Sequence, residues 1–273
     1  MNISLSPMPL APYMPKPAYG QYINTFRHDV ATMLRHVKQC GFDGIEMGTP
    51  EGFTPQEYKA LIDETGLQVV SGRGLGYPEL TGNDFQKHIE ETVILGAKNV
   101  MISHVPQVTL GNQVELDKFI GHINRVGRMF MEEAGIHVSY HNHAIDFSKV
   151  SGVPILEQLF EKTDPRYVFF EPDTHWITAG GGHVISWLKK LKGRMYMVHF
   201  KDYGIDPYSD YTYLESTHQI FVEVGEGNLN WPGIIAECKE QGIAWCSVEQ
   251  DLVQRPAYEA HALSVKHLRA FGV

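Results

Sequence analysis

Apolar and polar positions along the chain fall into two alternating regimes. Short apolar runs of strand length occupy 3–8, 42–47, 68–72, 99–104, 137–141, 167–171, 195–200 and 244–249. Between and after them, apolar residues recur at helical spacing over 28–39, 55–65, 85–95, 116–133, 155–162, 185–191, 232–241 and 257–270. Each helix can carry the chain back to begin another strand in the same direction, so the succession predicts a parallel sheet. Five returns share one device, a glycine that ends a helix just before a strand: CGFDGIEM, TGLQVV, LGAKNVMI, AGIHVSY and QGIAWCSV. Glycine tolerates the left-handed conformation that terminates a helix, and its repetition points to one repeated architecture.

Eight strand-helix units in 273 residues match an α/β fold of the (β/α)8 barrel type, read here as one domain over residues 1–273. No Pro/Ser-rich linker, low-complexity tract or abrupt charge shift divides the chain. An open doubly wound sheet is the structural alternative. No GxGxxG follows the first strand and no GxxxxGK[ST] occurs, which disfavours nucleotide binding through those loops. The longest irregular stretch, 202–230, follows the seventh strand and reads as a long rim loop. Its Tyr203, Tyr208, Tyr211 and Tyr213 either cover a substrate or pack on themselves or another subunit.

Composition narrows the function classes. Hydrophobic residues make up 43% and charged residues 20%, which suits a globular chain and excludes disorder and collagen-like structure. No apolar run approaches the ~18 residues of a membrane helix. The start, MNISLSPMPLAPYMPKP, does not read as a secretory signal, and a cytoplasmic location is expected. Cys40, Cys238 and Cys246 form no CxxC and are expected to be buried thiols, neither a disulfide framework nor a zinc site. A net charge of -9 without a Lys/Arg run offers no broad footprint for nucleic acid, so a small neutral or metal-bound substrate fits better. Fourteen histidines are the unusual feature, because imidazole both ligates metals and titrates near neutrality.

Barrel chemistry belongs at the C-terminal ends of the strands. The fifth strand ends IHVSYHNH, and alternation lets Val138 and Tyr140 face the helices while Ser139, His141 and His143 share the other direction. Asp173 stands at the exit of the sixth, His199 and Lys201 share one parity at the seventh, Glu249 follows the eighth, and Glu46 closes the second. His141 and His143, Asp173, His199 and Glu249 therefore come from four successive strand ends. Imidazoles and carboxylates converging in this way make an N/O site for Mn²⁺, Mg²⁺, Zn²⁺ or a similar ion. Such an ion polarises a carbonyl while a nearby base moves a proton, chemistry that suits enolisation of an α-hydroxy ketone. The remaining polar residues have competing readings. His28, His36, His88, His122, His218, His261 and His267 read as structural or solvated, and His104 as either structural or part of the site. Glu46 is a site residue or a hydrogen-bond partner of strand ends; Lys201 is a site residue or the partner of Asp202.

With these residues the chain resembles the xylose isomerase-like barrel superfamily, in particular its sugar isomerase/epimerase members. The resemblance rests on GFDGIEM, YHNHAIDF, EPDTHWITAGG, GRMYMVHFKD and VGEGNLNWPGII followed by WCSVEQD, in that order and spacing. It implies a barrel enzyme with one divalent metal, most often Mn²⁺, with Mg²⁺, Co²⁺ and Zn²⁺ as alternatives. The family holds that metal through a carboxylate from the fifth strand, an Asp from the sixth, a His from the seventh and a Glu from the eighth. The last three carry over to Asp173, His199 and Glu249; at the first position this chain has His141, inside an HNH that marks one subgroup. A symmetric Glu/Glu proton shuttle is thereby put in doubt. The expected roles are His141 as ligand, His143 as general acid/base and Glu249 as ligand and second base, with the roles of His141 and His143 exchangeable. His175 and Trp176 would line the pocket, and Lys201 and Arg73 would hydrogen-bond to substrate oxygens.

Metal-dependent isomerisation or epimerisation of a keto sugar through an enediolate is the leading expectation. Close behind stands loss of a β-oxygen or aglycone from the same intermediate, making the protein a dehydratase or lyase, as in inosose dehydratases or the barrel subunits of C-glycoside-cleaving enzymes. DNA repair on the same fold is disfavoured by the -9 charge. A homo-oligomer, or a barrel that needs a partner subunit, is a further possibility; no membrane partner is expected.

Overall fold

A computed structural model describes residues 1–7, 27–82, 85–206 and 219–273. Eight parallel strands are β1 (Asn2–Leu5), β2 (Gly44–Glu46), β3 (Gln68–Ser71), β4 (Asn99–Ile102), β5 (His137–His141), β6 (Val168–Glu171), β7 (Met197–Phe200) and β8 (Trp245–Val248). The helices that follow them are α1 (Arg27–Gln39), α2 (Pro55–Thr65), α3 (Gln86–Leu95), α4 (Gln113–Ala134), α5 (Ile155–Lys162), α6 (Val184–Lys190), α7 (Trp231–Glu240) and α8 (Ala257–Ala270). The strands form two arcs, in the orders β3-β2-β1-β8-β7 and β4-β5-β6. Two seams close them into a barrel. At one, Gly72 N–H donates to Asn99 O (2.8 Å) and Leu75 N–H to Met101 O (2.8 Å); at the other, Phe170 N–H donates to Arg194 O (2.7 Å) and His199 N–H to Pro172 O (2.9 Å).

Local chemistry sets the element ends. Thr54 caps α2 in a capping box with Glu57, and Pro55 occupies the first turn, where its missing N–H costs nothing. Gly41, Gly66, Gly96, Gly135 and Gly242, the five return glycines, all have positive φ, from 64° to 98°. The strands stop one to three residues short of several apolar runs: β1 ends at Leu5 and β4 at Ile102, since the following residues turn out to the rim.

Alternation sorts the side chains. Ile3, Leu5, Ile45, Val198 and Val248 point outward against Leu34, Ile62, Leu188, Ile234 and Leu268 of the helices. Val100, Val138, Tyr140 and Phe170 do the same against Ile89, Phe119, Ile123 and Leu156. The inward residues form layers. The lowest is apolar, with Val70, Met197 and Trp245. Above it lies a polar layer of Ser4, Asn99, Ser139, Glu171, His199 and Ser247, all buried, where barrels ordinarily place branched aliphatic residues.

The stretch over 202–230 is not wholly irregular. Asp202–Ile205 pairs antiparallel with Gln219–Val222, with Tyr203 opposite Phe221; Tyr208, Tyr211, Tyr213 and His218 lie outside the described residues. Asp202 does not pair with Lys201. Its carboxylate accepts from the N–H groups of Gly225 (3.0 Å) and Gly227 (3.0 Å) and from Trp231 Nε1 (2.5 Å), which folds the segment back onto α7. The three cysteines are free, Cys238 and Cys246 buried and Cys40 half-buried. Among the described residues, no helix is long and apolar enough to cross a membrane.

Candidate active site and metal centre

Strand ends and caps bring the site together. His141 is the last residue of β5, and the HNH segment beyond it is fastened at two points. Asn142 Oδ1 accepts from Asp173 N–H (3.0 Å), and Asp146 Oδ2 accepts from His143 N–H (2.8 Å). Asp173 caps the short helix Thr174–Ala179, its Oδ1 accepting from Trp176 N–H at 2.7 Å. That leaves Oδ2 buried without a hydrogen-bond partner. His199 projects inward from β7, and Glu249 follows β8 immediately.

His141, Asp173, His199 and Glu249 each present one donor atom, and these atoms lie within 4.8 Å of one another. Glu249 Oε2 is 3.0 Å from His199 Nδ1 and 3.9 Å from His141 Nε2. Two imidazoles and two carboxylates at this separation fit a divalent ion of borderline hardness. Asp173 Oδ2 supports the fit, because a buried carboxylate oxygen left without a hydrogen bond costs free energy that a directly ligated cation removes.

Charge in the site is strongly correlated. Burial pushes the Asp173 carboxyl up to about 7 against the pull of Lys201. Burial would also raise Glu249, but His199, Lys201 and His141 outweigh it and hold that carboxyl well below the ordinary range. His199 shows the converse: burial alone would lower it, and the carboxylates of Glu46, Glu171 and Glu249 hold it well above. His141 is pushed well below its ordinary value by burial and by His199, and His143 is lowered by burial, so both imidazoles are neutral at pH 7.

Lys201 is 1% exposed and sits among three carboxylates, Asp251 at 2.6 Å, Glu249 at 3.4 Å and Asp173 at 4.0 Å. Its Nζ lies over the rings of Trp176 (4.7 Å) and Phe221 (5.1 Å). His175 packs between Trp176, Tyr203 and Phe221 with ring separations of 4.7 to 5.4 Å, and burial pushes it down to about 4. Trp176 faces the His143 ring at 5.4 Å. A cavity of about 570 Å³ opens at the cluster, and its lining includes Met47, Met101, His104, His141, His143, Glu249 and Asp251.

The expected site residues thus separate into groups. His141, Asp173, His199 and Glu249 cluster; His143, His104 and Glu46 line the cavity; Lys201, Trp176 and His175 pack against one another outside its lining. Arg73 is placed elsewhere, donating to Thr49 O (2.6 Å) and pairing with Glu91 (3.4 Å). Glu46 points into the barrel, its Oε2 accepting from Ser247 Oγ (3.0 Å) and lying 2.8 Å from His199 Nε2. Glu171, Asp251 and Phe221 are neighbours that sequence reasoning passed over. Glu171 shares parity with Asp173 across Pro172, so the alternation that selected His141 also marks it. Asp251 and Phe221 carry no such signal, since their loops find the site only through the tertiary fold.

Eight parallel strands with a His/Asp/His/Glu cluster at their C-terminal ends define a class, the (β/α)8 barrels whose chemistry sits on the strand-end rim. Within it, the chain belongs to the xylose isomerase-like TIM barrel family, whose profile matches residues 34–271. An inosose dehydratase of Mesomycoplasma hyopneumoniae (strain 7448) is 26% identical over 267 residues, covering 87% of each chain. A sugar phosphate isomerase/epimerase from Parabacteroides distasonis superposes with a TM-score of 0.72 at 22% identity, covering 98% of this chain and 94% of its own. The IOLI protein, solved with a bound zinc atom, superposes with a TM-score of 0.65 at 16% identity over 99% of this chain and 98% of its own. Among the relatives and similar structures are sugar-modifying enzymes, including isomerases, epimerases and dehydratases.

Proposed function

We propose that the protein is a divalent-metal-dependent dehydratase that removes water from a keto sugar or keto cyclitol. The observation that carries this reading is the asymmetry of the two proton-moving groups. Epimerisation requires a base on each face of the reacting carbon, whereas syn elimination can run on one. His143 is neutral, lines the cavity and is free to act as that base. Glu249, the group across from it, is committed to His199 (3.0 Å) and Lys201 (3.4 Å), and its depressed pKa makes it a better ligand than base.

His141, Asp173, His199 and Glu249 would hold a divalent ion, Mn²⁺ foremost with Mg²⁺, Co²⁺ or Zn²⁺ as alternatives, which would supply Lewis acidity to the substrate carbonyl and so acidify the neighbouring C–H. His143 takes that proton, giving an enediolate. The electron pair then forms the C=C bond as the β C–O bond breaks, and the His143 imidazolium returns its proton to the departing hydroxide, so that water and an enol product leave. Trp176 offers a flat apolar face beside His143, and Lys201 keeps the carboxylates oriented. The likeness to inosose dehydratase supports this reading.

Isomerisation or epimerisation is the second reading. It is favoured by the remaining 11% exposure of the Glu249 side chain, which lets it face a substrate in the cavity. Incubating the Mn²⁺-loaded protein with an inosose and with keto sugars in D₂O separates the two. Loss of water and a new conjugated absorbance support the dehydratase, and deuterium in a recovered stereoisomer supports the epimerase. Absence of both water loss and deuterium incorporation contradicts both readings.

A further inference from the structure

We propose that Glu171, inside the barrel, is a positioning residue that decides which nitrogen of His199 faces the metal. The proposal rests on the reading of His199 as a ligand. The His199 ring stands between two sets of carboxylates. Nδ1 looks up at the rim, 3.0 Å from Glu249 Oε2, while Nε2 looks down into the barrel, 2.7 Å from Glu171 Oε1 and 2.8 Å from Glu46 Oε2.

A neutral imidazole carries one N–H, and a fixed acceptor determines where it resides. A carboxyl oxygen fixed 2.7 Å from Nε2 accepts the N–H there and leaves the Nδ1 lone pair directed at the ligand cluster. Glu171 faces this ring from inside the barrel. It is 0% exposed, does not line the cavity, and is itself held from behind. Its Oε2 accepts from Asn99 Nδ2 (3.2 Å), which also donates to Ser71 Oγ (3.1 Å), while Asn99 Oδ1 accepts from Ser139 Oγ (2.5 Å). Four strands thus contribute to one chain of hydrogen bonds that ends on the His199 ring. A carboxyl buried in a barrel interior is costly unless it is paired, and the group it pairs with is the ligand histidine. Glu46 is a second acceptor from the other side, but it also reaches the cavity wall.

The test is cobalt titration of the metal-free wild type, Glu171→Gln and Glu171→Ala, followed by visible absorption and with folding checked by circular dichroism. In Glu171→Ala the Co²⁺ dissociation constant should rise about 10–100-fold, the range found when a partner of a metal-bound histidine is removed, and the d–d bands should change shape as His199 loses its fixed tautomer. Glu171→Gln keeps an oxygen acceptor without the charge, so it should fall between the other two in both affinity and spectrum. Should the alanine variant not fold, the near-isosteric glutamine variant decides. A folded variant with wild-type affinity and spectrum overturns the positioning role while leaving the metal centre standing. Weakened binding with an unchanged spectrum overturns it as well, since a loosened barrel would produce that. Failure of the wild type to bind Co²⁺ overturns both the metal centre and the proposal.

Discussion

Replacing Lys201 with methionine isolates the electrostatics that hold the rim together before any ion binds. The ammonium is 1% exposed and is the only cation of the described residues placed between Asp251 (2.6 Å), Glu249 (3.4 Å) and Asp173 (4.0 Å). At an effective dielectric of ~20, a unit charge pair at 4 Å is worth about 4 kcal/mol. Desolvation cancels much of that in the intact protein, but removing one partner of a buried pair leaves the others uncompensated, at a cost of about 3–5 kcal/mol. At ~2–4 °C per kcal/mol for a chain of this size, the melting temperature should fall by about 6–20 °C. The assay is differential scanning calorimetry of the metal-free Lys201→Met variant beside wild type at several pH values. Without the lysine, Asp173 rises further above its ordinary range and Glu249 loses part of the pull that holds it below. The deficit should therefore grow as pH rises from about 4 toward 8, where Asp173 sheds its proton. Adding Mn²⁺ should narrow the gap, because a divalent cation replaces the missing charge. A metal-free variant that melts within about 1 °C of wild type across this range would refute the reasoning.

Four further outcomes follow from the same geometry. Asp173, raised to about 7 by burial, must lose its proton to ligate, so Mn²⁺ affinity measured by calorimetry should increase from pH 6 to pH 8 and flatten above it; a pH-independent constant would remove Asp173 from the ligand set. Asp173 and Glu171, the latter raised to about 8 by burial and by Glu46, both bind protons more tightly folded than unfolded, so they should make the metal-free protein lose stability as pH rises from about 4 to 8. His143→Gln should lower kcat by about 10²–10⁴ while metal content, read by elemental analysis, stays at the wild-type level. Asp202→Ala strips the acceptor from Gly225, Gly227 and Trp231 and should cost about 3 kcal/mol or more in urea unfolding, with unchanged urea stability showing that the segment is held by other means.

Much of this fold is legible in the chain because a barrel repeats one physical unit. A strand with an apolar face outward needs a helix to cover it, and the return needs a residue that tolerates positive φ, so Gly66, Gly96 and Gly135 mark boundaries to within a residue or two. The rim is legible for the same reason. Strand parity alone sets Ser139 and His141 inward, and it separates Lys201 and His199 from Phe200. Parity stops working where strands stop. Arg73 lies just past β3, and the bulge between Ile45 and Glu46 shifts the register beside it, so its side chain meets Glu91 and Thr49 instead of the cavity. Lys201 and Asp202 look like an ion pair in sequence because they adjoin, yet successive residues point apart, and each finds partners across the rim instead. The hairpin at 202–205 and 219–222 has too little periodicity to announce itself, and Asp251 is a single acidic residue in a loop.

Both the proposed chemistry and the role of Glu171 require that His141, Asp173, His199 and Glu249 form one metal centre. Elemental analysis of the protein equilibrated with Mn²⁺, beside His141→Ala and Glu249→Ala under the same conditions, tests it directly. One divalent ion per wild-type chain and a substantial loss of bound metal in both variants, with the fold retained, are the expected results. Wild-type metal content in both variants, or no bound ion in the wild type, would contradict it.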